Sequence, residues 1–168
     1  MKTKEINTEI LINSTPQKVW NVLLDFNNYP SWNPFMQAVR GKFKIGKKIK
    51  IRLKFPGSNS GIWIKPKINV LEVQKELRWM GRLFIPGLFD GEHSFELVPN
   101  ENGTTTFRQS ERFKGLLVPF FSNTLDSSTA SGFQQMNEKL KERVEKVTNK
   151  NLKPNGQSKH LSIFPAQY

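Results

Sequence analysis

Residues 126–147 place Phe133, Met136, Leu140, Val144 and Val147 on one helical stripe, with Glu138, Lys139, Lys141, Glu142, Arg143 and Glu145 on the other side. A helix of this kind gains most of its stability by laying its apolar stripe on a second apolar face. The preceding chain offers one. Lys48 to Phe55 alternates basic and apolar at every position, and Ile6, Thr8, Ile10 and Ile12 alternate in the same way. Period two is the mark of a strand with one buried face. Ile62 to Val73 reads as one longer strand with Ile62, Ile64, Ile68 and Val70 on a face, where Pro66 indicates an edge or a bulge. Leu77, Trp79, Gly81 and Leu83 share a face of the next strand. The clearest hairpin runs from Glu92–Leu97 through the turn Pro99–Gly103 and back over Thr104–Phe113.

Helical signals precede this sheet. Ser14 and Thr15 offer a capping hydroxyl, Pro16 suits a first helical position, and Val19, Trp20, Leu23 and Leu24 repeat at helical spacing. Asn27–Pro30 ends that helix, and Ser31–Phe35 reads as a further short helical turn or loop. The expected architecture is α+β. One domain over residues 1–147 is followed by a polar tail, 148–168, which carries an apolar cluster of Leu161, Ile163, Phe164 and Tyr168.

Composition narrows the chemistry. The chain has no cysteine, which excludes disulfides, thiolate nucleophiles and Cys-based metal sites. Its two histidines, His93 and His160, are too few for a His-rich metal centre. No phosphate loop, GxSxG elbow or HExxH sequence is present. The N-terminus lacks the apolar core of a signal peptide, and the apolar stretches 83–89 and 116–121 are too short to span a membrane, so a cytoplasmic protein is expected. The net charge of +12 admits an anionic partner. Lys outnumbers Arg by 19 to 7, and lysine is the poorer residue for bidentate phosphate or base recognition, so no specific nucleic-acid partner is expected.

Five segments in order carry a resemblance: Ile12–Trp20, Tyr29–Pro34, Gly91–Leu97, Gly103–Thr105 and Ser110–Leu117. Over about Glu5 to Val147 the chain resembles the START-like, or SRPBCC, helix-grip superfamily, closest to its polyketide cyclase/dehydrase-like branch. The resemblance implies a curved, seven-stranded antiparallel sheet wrapped around a long C-terminal helix, with two short helices between the first and second strands. It also implies an internal cavity for a small hydrophobic ligand; no cofactor and no metal are expected. It does not select among carrier, sensor, enzyme and interaction module.

Strand parity nominates the cavity residues. If the hairpin turn aligns Phe95 with Gln109, His93 stands opposite Glu111, close enough to hydrogen-bond. The pair is either an acid–base dyad or two polar groups satisfying one another. Trp32 and Phe35 are read on the short helix that closes one end of the cavity, as a hydrophobic plug or a ligand contact. Phe55, Trp79, Phe95, Phe133 and Met136 are wall candidates that carry the same signature as a packed core, and Gln109 joins His93 and Glu111 as an orienting polar group. Val118–Phe121 reads as an entrance loop, a membrane-touching loop or a buried corner. The row Lys48, Lys50, Arg52 and Lys54 is a solvated face or a surface for transient contact with anionic lipid.

Overall fold

The computed structural model describes residues 3–83 and 87–152, with the backbone alone for residues 83, 121–127 and 149–152. The first alternating run forms β1 (Thr3–Ile12), and Pro16 opens α1 (Pro16–Leu23). The expected hydroxyl cap is absent: Thr15 is the capping residue, but its side chain makes no cap hydrogen bond. A single 3₁₀ turn (Phe26–Asn28) leads into α2 (Tyr29–Trp32). Tyr29 is fully buried and its hydroxyl donates to the Leu23 carbonyl at 2.6 Å. Burial, and then the charge of Asp25, push that phenol well above the ordinary tyrosine range.

The strands β2 (Met36–Arg40), β3 (Lys50–Leu53) and β4 (Ile62–Ile64) form one antiparallel sheet. The strands β5 (Lys67–Glu72), β6 (Glu76–Leu83), β7 (Phe89–Pro99) and β8 (Thr105–Lys114) join β1 in a second, ordered β1-β8-β7-β6-β5. The described residues thus hold eight strands where seven were expected. The difference lies at Pro66. Having no N–H, it cannot continue a ladder, and the single strand read over Ile62–Val73 divides there into β4 and β5. Residues 46–49 bridge the division: the Gly46 amide donates to the Ile68 carbonyl, Ile68 to Lys47, and Ile49 to Pro66, at 2.8–3.0 Å. The two sheets are therefore one curved wrap with a split at one side.

The long helix α3 (Val118–Leu152) lies across β1. It begins eight residues before the apolar stripe suggests, with Pro119 in its first turn, so Val118–Phe121 opens a helix rather than forming a loop. Val118 is buried and Phe120 is 82% exposed. Phe133, Met136, Leu140 and Val144 are buried as the stripe requires. Val147 is 44% exposed, because the next inward position is Thr148, whose hydroxyl lies 3.2 Å from that of Ser14. The helix runs to Leu152, past the boundary read at 148, and the apolar cluster 161–168 lies outside the described residues.

Two contacts dock this helix. Phe35 occupies the space where a side chain at Gly132 would stand, packing edge-on to Phe133 and Phe55 with ring centroids 5.5 Å apart. The loop that aims it is built by buried Asn33, whose Oδ1 accepts from the amides of Phe35 and Met36. At the other end, Glu145 accepts from the Asn13 amide at 2.9 Å and from Lys141 at 2.7 Å, while Lys141 also donates to the Leu11 carbonyl.

Both contacts are testable. Gly132→Ala should cost about 1–3 kcal/mol in denaturant unfolding, because a Cβ there overlaps the Phe35 ring. Partial burial raises the Glu145 carboxyl pKa, but the hydrogen bonds from Lys141 and Asn13 and the Lys141 charge together hold it below its usual value. A lowered folded-state pKa gives stability that is present above the unfolded value and is lost as pH falls through the folded one. Glu145→Gln should therefore remove about 1 kcal/mol at neutral pH and close to nothing at pH ~2, read by unfolding at both pH values.

Candidate ligand cavity

Three successive rungs of the inward sheet face explain where space opens. The first is Leu77, Phe95 and Gln109, the second Trp79, His93 and Glu111, and the third Gly81, Gly91 and Phe113, each taken in order across β6, β7 and β8. The first rung is closed by bulk: all three residues are buried, with Met136 against Gln109 and Phe107 against Phe95. The third has no side chain at two of its three positions. A strand glycine leaves room for a close approach, and here the two are direct cross-strand partners.

The split at Pro66 adds to this gap. Register places Lys67 opposite Met80, and a Cβ built on Gly81 would lie 3.9 Å from the Pro66 side chain, so the β5–β6 ladder ends at that glycine. Beyond it the chain has turned away into β4. The result is a cavity of about 410 Å³ between β6–β8, the smaller sheet and α3. Its walls include Phe35, Ile51, Phe55, Trp79 and Phe133, and its lining is exposed at Ile62, Trp63, Lys65 and Arg82, which mark its mouth.

The second rung supplies the polar end. His93, 2% exposed, stacks on Trp79 at 5.0 Å and meets Phe95 and Phe133 edge-on. Its Nδ1 lies 2.7 Å from Glu111 Oε2, and its Nε2 lies 3.4 Å from Gln109 Nε2. A neutral imidazole satisfies both contacts in one tautomer: Nδ1–H donates to the carboxylate, and Nε2 accepts from the amide. Both ring nitrogens are then engaged by protein groups. The Gln109 Oε1, by contrast, is buried without a partner.

Both side chains line the cavity, and the oxygen left over from their pair is Glu111 Oε1. Glu111 Oε1 lies over Gly91, and a Cβ at that position would stand 2.5 Å from it. Across the cavity, buried Thr129 of α3 presents a hydroxyl with no hydrogen-bond partner. Glu111 and Thr129 thus join His93 as the polar groups of the inner lining, with Lys65 and Arg82 at its exposed rim.

Of the candidates read from the sequence, Phe35, Phe55, Trp79, His93, Glu111 and Phe133 line the cavity. Trp32, Phe95, Gln109 and Met136 do not. Trp32 packs edge-on to Tyr29 beside the turn, 4.9 Å between centroids, with its indole N–H buried and unpartnered. Phe95 and Gln109 stand one rung too deep, and Met136 lies beneath Gln109, its sulfur 3.7 Å from the amide nitrogen. Sequence parity cannot tell a cavity wall from a filled core one rung below. Thr129 and the two glycines were missed. Gly81, isolated within an apolar strand face, carried the readable cue.

The family pattern for polyketide cyclase/dehydrase and lipid transport matches residues 3–145. The chain belongs to this family. Its fold is that of a Streptomyces aromatase/cyclase, TM-score 0.71 at 10% identity over 88% of this chain and 96% of that one. A START superfamily protein from Mycobacterium smegmatis aligns at TM-score 0.67 and 15% identity, over 85% and 98% of the two chains. A Thalictrum flavum norcoclaurine synthase, solved with dopamine and hydroxybenzaldehyde, aligns at 0.65 and 12%, over 86% and 88%. These identities establish the helix-grip fold alone. No curated protein is significantly similar in sequence. Among the described residues, no helix is long and apolar enough to cross a membrane, and no three His, Asp or Glu side chains are grouped to hold a metal ion.

The tautomer is directly measurable, since the chain has only two histidines. Imidazole nitrogen-15 shifts should report Nδ1 of neutral His93 as protonated and Nε2 as bare. Gly91→Ala should displace the carboxylate and abolish that preference, while an unchanged tautomer would show that Glu111 does not set it.

Proposed function

We propose that this protein binds a small hydrophobic molecule in the cavity, as a carrier or sensor, with the molecule's polar end at Glu111 and Thr129. The observation that carries this reading is the composition of the wall: mostly aromatic and aliphatic side chains, with the Glu111 carboxylate, whose Oε2 is paired with His93, and the unpartnered Thr129 hydroxyl. Ligand sites are commonly apolar with a few convergent polar groups that fix orientation. A carboxylate acceptor favours a ligand that brings a hydroxyl or N–H donor and disfavours a free carboxylic acid, whose charge it would repel. Hydroxylated lipids, polyketides, quinols and phenolic aromatics fit that requirement. The volume suits a ligand of modest size.

The family, and neighbours described as an aromatase/cyclase and a norcoclaurine synthase, favour one second reading. In it, Glu111 is the proton acceptor in a cyclisation, dehydration or isomerisation, and His93 holds the carboxylate in place through its Nδ1–H. In this reading the histidine positions the base and is not the base itself, because both imidazole nitrogens are already engaged.

Native mass spectrometry of freshly purified protein, with solvent extraction, tests the binding reading. A reproducible adduct of a few hundred daltons that diminishes in Thr129→Val and Glu111→Gln supports it; an adduct indifferent to both substitutions contradicts it. With the extracted compound or its precursor in hand, turnover separates the two readings. A carrier loses affinity by roughly tenfold in Glu111→Gln, whereas an enzyme loses rate by roughly 10²–10⁴-fold with binding retained.

A further inference from the structure

The charge of this chain is not spread over its surface. Residues 26–71 contain ten of its 26 Lys and Arg and none of its 14 Asp and Glu. That segment spans the smaller sheet and the chain flanking it. Among the described residues none of these ten cations enters an ion pair; the pairs that form lie elsewhere, such as Lys75–Glu72, Arg78–Glu76 and Lys141–Glu145. A solvated face normally mixes both signs, and this one is single-signed and uncompensated.

Register places three of these cations, Arg40, Lys50 and Arg52, on one side. Arg40 pairs with Lys50 across β2 and β3, and Arg52 pairs with Trp63 across β3 and β4, so these four point outward while Val39, Ile51 and Ile64 point to the cavity side. The Arg40 guanidinium sits over the Trp63 ring at 5.6 Å. Arg40, Lys48, Lys50, Trp63 and Lys65 line a shallow surface groove, and Trp63 and Lys65 also belong to the cavity mouth. Ile62 and Trp63 are about half exposed, on the free edge strand of the smaller sheet. A basic field, an exposed tryptophan and isoleucine, and the opening of an apolar cavity therefore share one patch.

We infer that this patch docks on an anionic membrane surface, with the cavity mouth turned toward the lipid. Clustered lysines and arginines are drawn to acidic headgroups, and a half-exposed tryptophan is suited to the interface between headgroups and acyl chains. Eight of the ten cations are lysines, point charges without the fork that reads phosphates and bases, which favours a diffuse lipid surface over nucleic acid. Docking there would let an apolar ligand pass between bilayer and cavity without crossing water. The inference concerns the outer face and holds whether the cavity serves a carrier or an enzyme.

Cosedimentation of the full chain with vesicles of phosphatidylcholine, or of two parts phosphatidylcholine to one part phosphatidylglycerol, tests it. The protein should sediment with the anionic vesicles only, and should be released as salt rises from about 0.1 to about 1 M and the screening length shortens from about 10 to about 3 Å. Lys48→Glu with Lys50→Glu should weaken binding roughly tenfold or more. Trp63→Ser, which keeps every charge, should weaken it by a smaller factor. Nile red uptake retained in the double lysine variant, whose two positions lie outside the cavity lining, certifies an intact cavity, and circular dichroism certifies the fold of the tryptophan variant, so a docking failure is distinguishable from a failure of ligand binding. Equal binding to neutral vesicles, binding to neither, indifference to these substitutions, or binding to a duplex oligonucleotide in preference to anionic vesicles would overturn the inference.

Discussion

A curved sheet closed on a helix leaves room for a ligand only where its inward face lacks bulk, and in this chain one rung supplies that lack. Gly81 and Gly91 face one another across β6 and β7, directly beside the rung of Trp79, His93 and Glu111. The same missing side chains that open the space also admit the Glu111 carboxylate, which lies where a Cβ at Gly91 would be. Cavity and polar group are thus two consequences of one pair of glycines. An empty rung costs dispersion contacts that a filled core would have gained. The surrounding aromatic packing, Trp79 on His93 and Phe35 and Phe133 edge to face, holds the walls apart without it.

Pro66 provides the second constraint. A proline in mid-strand would be a defect in a flat sheet; here it ends the β5–β6 ladder at Gly81 and sends the chain into β4. The mouth opens at that split. The three hydrogen bonds from residues 46–49 keep the wrap continuous elsewhere, so the opening is local. Because the smaller sheet forms one lip of the mouth, the sign of charge on its outer face bears on what can approach the cavity.

Much of the fold was legible because its determinants are periodic. Alternation at Lys48–Phe55 correctly put Ile49 and Ile51 inside and Lys50 and Arg52 outside, and the 3–4 spacing of Phe133, Met136, Leu140 and Val144 gave the buried face of α3. The hairpin turn at Pro99–Gly103 fixed the register that sets His93 across from Glu111. What escaped was aperiodic or collective. The first two turns of α3 are rich in Ser, Thr and Asn, which favour caps and turns over helix interiors, so their helicity depends on the tertiary frame. Depth within the core escaped too: Phe95 and Trp79 carry the same parity, and only the glycines beside the latter make one a wall and the other filling. The full setting of His93 escaped as well, since a sequence shows that a histidine can meet a carboxylate but not that a glutamine amide lies at its other nitrogen.

The central claim is that the space beside the glycine rung is a ligand site rather than a packing void. The most direct measurement fills it from the rim. Ile64 of β4 is half-buried and lines the cavity, and a tryptophan there has room to lean inward without disturbing the ladder to Ile51. The binding isotherm of a neutral solvatochromic dye such as Nile red would be compared between the native chain and Ile64→Trp, with circular dichroism confirming the fold. The account predicts saturable one-to-one binding by the native protein, weakened roughly tenfold or more by loss of a site-sized volume. Binding of equal strength in the folded variant would contradict it and place the ligand site elsewhere.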